Sequence, residues 1–334
     1  MKKAVLLNDT SYENHHGCNI VIKNIKAKLA QRNISLIATN PIGKEWQTNT
    51  LFLKALSLCD IVLINAEGTI HHDSPYALSL LQIVTFTNKP TVLLNMTYQN
   101  NSHLFADLVK SFTKVYVRES LSQAELSKYA IDVPVVPDMT FASSYIFANS
   151  RTFDICMTDS HDIQFSQRLH SIAKKQHFYF LPIISPYLKY STSKGFMKKI
   201  KYGLVTRFGK YIQKMTSIPY AYLRYTHVLP EKNFIQKIGE SHCLVSARFH
   251  ALCIAMQTMT PFLILKSNTH KIEGLLSDAK ITSKRIIDLN TLEDALQKPL
   301  ILTEEEQTHI RNYLADAQRK IDTMFDEIAS LLVQ

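Results

Sequence analysis

The chain has 334 residues, with 38 Lys and Arg against 28 Asp and Glu for a net charge of +10, and 46% hydrophobic residues beside 20% charged ones. That balance builds a large core and excludes a disordered chain, and 8 glycines are too few for collagen-like or Gly-rich linker architectures. At roughly 100–200 residues per domain the length fits two domains, and the positive excess asks for an anionic partner, whether nucleic acid, lipid surface or substrate.

Short apolar runs alternate with amphipathic stretches from the start of the chain. Ala4-Val5-Leu6-Leu7, Ser35-Leu36-Ile37-Ala38, Ile61-Val62-Leu63-Ile64, Thr91-Val92-Leu93-Leu94 and Lys114-Val115-Tyr116-Val117 read as buried parallel strands. Helical patterns lie between them at 19–31, 48–58, 75–87 and 102–112. A second block follows Ser150, with strands at Phe153-Asp154-Ile155-Cys156-Met157, Phe178-Tyr179-Phe180-Leu181, Cys243-Leu244-Val245 and Phe262-Leu263-Ile264-Leu265. Helices are predicted at 162–175, 231–238, 247–257 and 271–277, and 304–332 reads as one long helix packing across both blocks. The pattern is α/β: two Rossmann-like lobes, 1–147 and 148–302, joined near 145–152 and followed by a C-terminal helix, 303–334. It resembles a GT-B-type pair with the ligand in the cleft.

The charge is not spread evenly. Lys189, Lys194, Lys198, Lys199, Lys201, Arg207, Lys210 and Lys214 fall in one segment, 189–214, that holds no acidic residue. A single basic segment on a nearly neutral protein, with no zinc-finger spacing and no aromatic RNA-binding signature, predicts no nucleic-acid partner. Phe196, Ile200, Leu204, Phe208 and Ile212 recur mostly every four residues, so the segment reads as an interfacial helix meeting anionic lipid, as a solvated lid, or as a contact for an anionic glycan. Cys18, Cys59, Cys156, Cys243 and Cys253 are odd in number and widely spaced with no C-x-x-C, which suits buried thiols in a reducing compartment and neither a disulfide framework nor a zinc site. MKKAVLLNDTSYEN has no signal-peptide pattern, and no run reaches the roughly 18 apolar residues of a membrane span. The expected location is the cytoplasm, at the inner face of the membrane if the basic segment meets lipid.

The chemistry concentrates where strands run out. Ser246-Ala247-Arg248-Phe249-His250-Ala251-Leu252 takes a strand into a helix whose first turn carries Arg248 and His250, and a helix N-terminus with an Arg fork suits phosphate or carboxylate. The next strand ends in Lys266-Ser267-Asn268-Thr269-His270-Lys271, again polar and basic. In order along the chain, Val117-Arg118-Glu119-Ser120, Val136-Pro137-Asp138, the Arg-x-His element and Ser267-Asn268-Thr269-His270-Lys271-Ile272 resemble the polysaccharide pyruvyl transferase family over most of the chain. The resemblance implies a GT-B-type transferase that builds or decorates capsular and other cell-surface glycans without a cofactor. It also implies an anionic small-molecule donor, phosphoenolpyruvate, held in the C-terminal lobe and against Arg118, Arg248, His250, Asn268 and Lys271. His250 is then a candidate acid, and Asp138 reads either as a structural turn or as part of the acceptor site.

Two loops differ from the family pattern, Asn8 to Asn19 after the first strand and Asn65 to Asp73 after the third. They concentrate Glu13, His15, His16, Glu67, His71, His72 and Asp73, and are expected to face one another across the cleft. This reads as the acceptor side, in the N-terminal lobe: Glu67, His72 or His16 takes the sugar hydroxyl proton while Glu13, His15, His71 and Asp73 hold a glycan or lipid-linked glycan. No metal is expected, because adjacent His-His pairs have no fixed ligand geometry. Two other readings stay open: a GT-B glycosyltransferase using a CMP- or UDP-linked sugar on the same cations, and a non-catalytic glycan-binding protein.

Overall fold

A computed structural model of the chain describes residues 1–145, 150–184, 229–298 and 300–332. The basic segment 189–214 lies outside the described residues, as does part of the linker expected at 145–152. The chain begins with β1 (Lys2–Asp9), α1 (His16–Gln31), β2 (Ile34–Pro41), α2 (Thr50–Leu58) and β3 (Ile61–Asn65). It continues through β4 (Ile70–His71), α3 (Pro75–Leu81), β5 (Thr91–Met96), β6 (Tyr98–Gln99), α4 (His103–Lys110), β7 (Lys114–Val117) and α5 (Ser120–Ser127). Strands β2-β1-β3-β5-β7 form one parallel sheet in that order, and β4 pairs with β6 beside it. β1 and β3 read as unbroken apolar runs because helices cover both faces of a parallel sheet; all five residues of β3 are buried.

A second parallel sheet follows, built from β8 (Phe153–Met157), α6 (Ile163–Lys175), β9 (Tyr179–Phe180), α7 (Glu231–Gly239), β10 (Ser241–Ser246), α8 (Phe249–Gln257), β11 (Phe262–Leu265), α9 (Lys271–Asp278), β12 (Ile286–Ile287) and α10 (Leu292–Ala295). Its order is β12-β11-β10-β8-β9. In each sheet the strand order reverses next to the first strand, between β1 and β3 and between β8 and β10. Open α/β sheets bind ligands at that switch point, outside the carboxyl ends of the strands. The fold is therefore mixed α/β with two parallel sheets in a GT-B-like arrangement, closed by the long helix α11 (Glu304–Ser330).

One hydrophobic cluster runs through both sheets. Leu6 and Leu63 of the first sheet, Ile20 and Val21 of α1, Leu252 and Ile254 of α8, Ile321 and Phe325 of α11, and Leu244 and Phe262 of the second sheet all belong to it. Every residue of α8 is buried. α11 starts in a capping box, with Thr303 accepting from the Glu306 N–H and Glu306 accepting from the Thr303 N–H. Glu306 also pairs with Arg285 of the second half (2.5 Å), while Lys28, Arg32 and Tyr116 of the first half bond Asp322, Asp326 and Glu327 near the other end of the helix. No described helix is long and apolar enough to cross a membrane.

Three helices begin two or three residues from their predicted starts because of capping; α2 starts at Thr50 rather than residue 48, since the Asn49 side chain accepts from the Phe52 N–H. α1 starts at His16 rather than residue 19, since the His15 side chain accepts from the Cys18 N–H. α8 starts at Phe249 rather than residue 247, because Ser246 Oγ accepts the Arg248 N–H (2.9 Å) and turns the chain first. α5 is not legible in the apolar pattern, because it lacks a clean stripe; it is set by Glu119, whose carboxylate accepts from the Ser122 N–H (2.9 Å). All five cysteines are free and buried.

Candidate active site

The two switch points open into one cavity of about 320 Å³. The first sheet contributes Thr10, Glu13, His15 and Cys18 from the β1–α1 turn, Glu67, Gly68, Thr69 and His71 after β3, and Arg118 after β7. The second contributes His161 after β8, Arg248 and His250 at the start of α8, and Asn268 and Lys271 at the start of α9. The two loops expected to face one another across the cleft instead sit side by side. β1 and β3 are neighbours in the sheet, so both loops share one wall, and the second half supplies the other.

The two arginines are held by partners distant in sequence, and Lys271 by a neighbour in its own loop. Arg118 donates from Nε to Thr97 Oγ1 (2.7 Å) and from Nη1 to Asp138 Oδ2 (2.9 Å), and its guanidinium lies 4.2 Å from the centre of the Phe249 ring. Arg118 Nη2 and Lys271 Nζ both come within 3.4 Å of where a Cβ on Gly68 would stand, so two positive groups converge over that glycine. Lys271 donates to Asn268 Oδ1 (2.8 Å). Burial, then the nearby Arg118 and Arg248, push its pKa down to about 7. Arg248 donates from Nη2 to Asp159 Oδ2 (2.6 Å) and the Ser160 carbonyl (2.6 Å), while its Nε has no hydrogen-bond partner among the described residues.

Beside them, on the residue before Gly68, stands an oriented carboxylate. Glu67 occupies a left-handed backbone conformation (φ 41°), uncommon for a residue with a side chain. Its Oε1 accepts from Thr10 Oγ1 (2.5 Å) and Asn65 Nδ2 (2.8 Å), and its Oε2 from the Cys18 thiol (3.4 Å). Asn65 is fixed in turn, its carbonyl accepting from Asn8 Nδ2 (2.7 Å). Burial pushes the Cys18 thiol pKa well up, reinforced by Glu67 and Glu13.

The histidines divide. His15 and His250 lie edge to face, 5.3 Å apart between ring centres, and burial holds both below the usual histidine range; Asp138 and Glu67 oppose that at His250 without reversing it. His71 reaches the cavity, and burial followed by His72 lowers its pKa. His72 is exposed outside the lining, its Nε2 bonded to Asn100. His16 stacks on Phe234 at 4.5 Å, away from the cavity. Asp73 shapes a turn, its backbone N–H donating to Asn101 Oδ1 and its carboxylate accepting from the Ser102 N–H. Asp138 is 1% exposed behind Arg118. Burial would raise its pKa, but His250, Arg118 and Thr140 outweigh that and hold it below the ordinary carboxylate range. Sequence reasoning missed Thr10, Asn65, Thr97, Cys18, His161 and Asp159. Asp159 was within reach of the switch-point rule, since it follows β8 at its carboxyl end.

The fold has solved counterparts at low identity. The S. aureus MnaA structure with UDP is 13% identical with a TM-score of 0.58, covering 100% of this chain and 98% of that one. A UDP-GlcNAc 2-epimerase from Neisseria meningitidis, bound to UDP-GlcNAc, is 13% identical with a TM-score of 0.53, over 99% and 100% of the two chains. These likenesses establish the fold alone. None of the curated proteins matches the chain. The model of one family, described as polysaccharide pyruvyl transferase, aligns with residues 7–269, which takes in Glu67, Arg118, Asp138, Arg248 and His250. By that match the chain belongs to the polysaccharide pyruvyl transferase family.

Proposed function

We propose that this transferase moves the pyruvyl group of phosphoenolpyruvate onto a hydroxyl pair of a cell-surface or lipid-linked glycan. The observation that carries the reading is the convergence of Arg118 and Lys271 over Gly68, with Arg248 on the same cavity and the oriented Glu67 carboxylate beside them. Phosphoenolpyruvate carries a phosphate and a carboxylate, and Arg forks suit both groups. In the reaction, the methylene carbon of the enol takes a proton and the phosphate-bearing carbon becomes electrophilic. A glycan oxygen bonds to that carbon as Glu67 takes its proton. The phosphate then leaves with the proton of the second hydroxyl, which closes the ketal. Burial keeps His250 neutral, whereas Lys271, pushed down to about 7, is both charged and acidic near neutrality. That favours Lys271 as the proton source. The acceptor lies on the Glu67 side.

Phosphoenolpyruvate is expected to raise the melting temperature in a thermal-shift screen, and CMP and UDP forms are not. Stabilisation by a nucleotide with none by phosphoenolpyruvate would replace this reading with sugar transfer on the same scaffold. The pH profile tests Lys271 separately. A lysine whose pKa falls to about 7 is protonated below that pH, so kcat declines as pH rises through about 7. Lys271→Arg keeps the charge but cannot give up the proton. It should leave KM for the phosphoenolpyruvate within a few-fold and lower kcat by about 100-fold or more. Unchanged kcat in that variant would reduce Lys271 to an anchoring charge.

A further inference from the structure

We propose that His15, Cys18 and His250 form a binding site for a zinc-type divalent cation that joins the two halves of the molecule at the floor of the cavity. The three residues are buried, and their candidate ligand atoms all lie within 4.8 Å of one another. Tetrahedral zinc, with bonds of about 2.0–2.3 Å, sets its ligands about 3.3–3.8 Å apart, so small side-chain adjustments close the set. The inference is independent of which donor substrate the enzyme takes.

The spacing supports it. His15 and Cys18 stand in a His-x-x-Cys pattern across the first turn of α1, the short separation that lets one chain segment supply two ligands. The third ligand comes from the other half, and the sequence leaves room for it. Gly17 lies between the first two, and a Cβ there would fall 2.2 Å from the Cβ of His250. Only glycine lets His250 enter at that point.

The surroundings complete the case. His250 Nε2 has no hydrogen-bond partner among the described residues but lies 3.8 Å from Asp138 Oδ2. Asp138 is itself fixed by Thr140 and Arg118. A carboxylate behind a ligating imidazole is the usual support for a metal-bound histidine. Positive charge does not preclude a cation here, because Arg118 and Arg248 are already paired with Asp138 and Asp159. Lys271 has no carboxylate partner among the described residues, but burial and those arginines push its pKa down to about 7, so it can meet the metal neutral. Two carboxylates flank the sulfur, Glu67 at 3.4 Å and Glu13 at 3.7 Å. Two imidazoles and a thiolate select a borderline-soft ion such as Zn²⁺ over Mg²⁺ or Ca²⁺. On binding, the metal replaces the thiol proton, which is released to solvent, and three protein ligands leave a fourth position facing the cavity.

Cobalt(II) is the probe. The full chain, stripped with a chelator and dialysed, is titrated with Co²⁺ under reducing conditions and followed in the near-ultraviolet and visible. The expected result is one Co²⁺ per chain, a thiolate-to-cobalt charge-transfer band, and displacement of that band by Zn²⁺. Cys18→Ser should abolish the band, and His15→Gln should weaken Co²⁺ binding at least 10-fold, both with unchanged circular dichroism. Cys59→Ser should bind as wild type. Absence of a thiolate band in the wild type, or its survival in Cys18→Ser, overturns the proposal. If Cys18→Ser does not fold, retention of full affinity in His15→Gln overturns it equally. No substrate enters the titration, so its failure is separable from failure of the pyruvyl reading.

Discussion

Arg118→Ala is expected to remove transfer activity and to destabilise the fold by about 3–5 kcal/mol, the cost of leaving one member of a buried ion pair alone. Arg118 is 2% exposed and its partner Asp138 1%. Truncation strands a buried carboxylate and also removes the guanidinium from the face of Phe249. Arg118→Lys tests the geometry rather than the charge. One ammonium cannot reach Thr97, Asp138 and the space above Gly68 together, as the Arg118 fork does. The lysine variant should therefore recover part of the stability and little of the activity. Urea denaturation beside steady-state kinetics measures both, and an alanine variant with wild-type stability and turnover would refute the role given to this residue.

Glu67→Gln should lower kcat by about 100- to 10,000-fold, the usual worth of a positioned proton acceptor, with little change in KM for the phosphoenolpyruvate. The amide is nearly isosteric and its oxygen still accepts from Thr10 and Asn65, so the loop should keep its shape. What disappears is the basic lone pair. Equal losses in kcat and in phosphoenolpyruvate affinity would instead place Glu67 in binding of that substrate.

Much of this architecture can be read from local sequence, and the failures have a common cause. The strands of both sheets are legible because a buried parallel strand is a continuous apolar run, as in Ile61-Val62-Leu63-Ile64. Arg118, Arg248 and Lys271 are legible because they stand just beyond such runs. Strand order is not local: nothing near residue 8 or residue 65 says that β1 and β3 are neighbours, so loops that share a wall were expected to oppose each other. Counter-ions are not local either. Asp159 lies 89 residues from Arg248, and Asp138 lies 20 from Arg118. Neighbouring histidines separate by geometry alone. His15 is the N-cap of α1 and faces the cavity, while His16, one residue on, is already helical and turned about 100° towards Phe234.

The burial of α8 on every side has a mechanical consequence. Domains joined by a small, polar contact swing apart freely, whereas a large apolar contact suppresses that motion. Here the helix that carries His250 is the shared wall of both halves, and α11 is fastened to each of them. Wide hinge opening would bring the face of that helix that packs against the first half towards water. That contact favours access to the cavity through its rim loops over separation of the two halves.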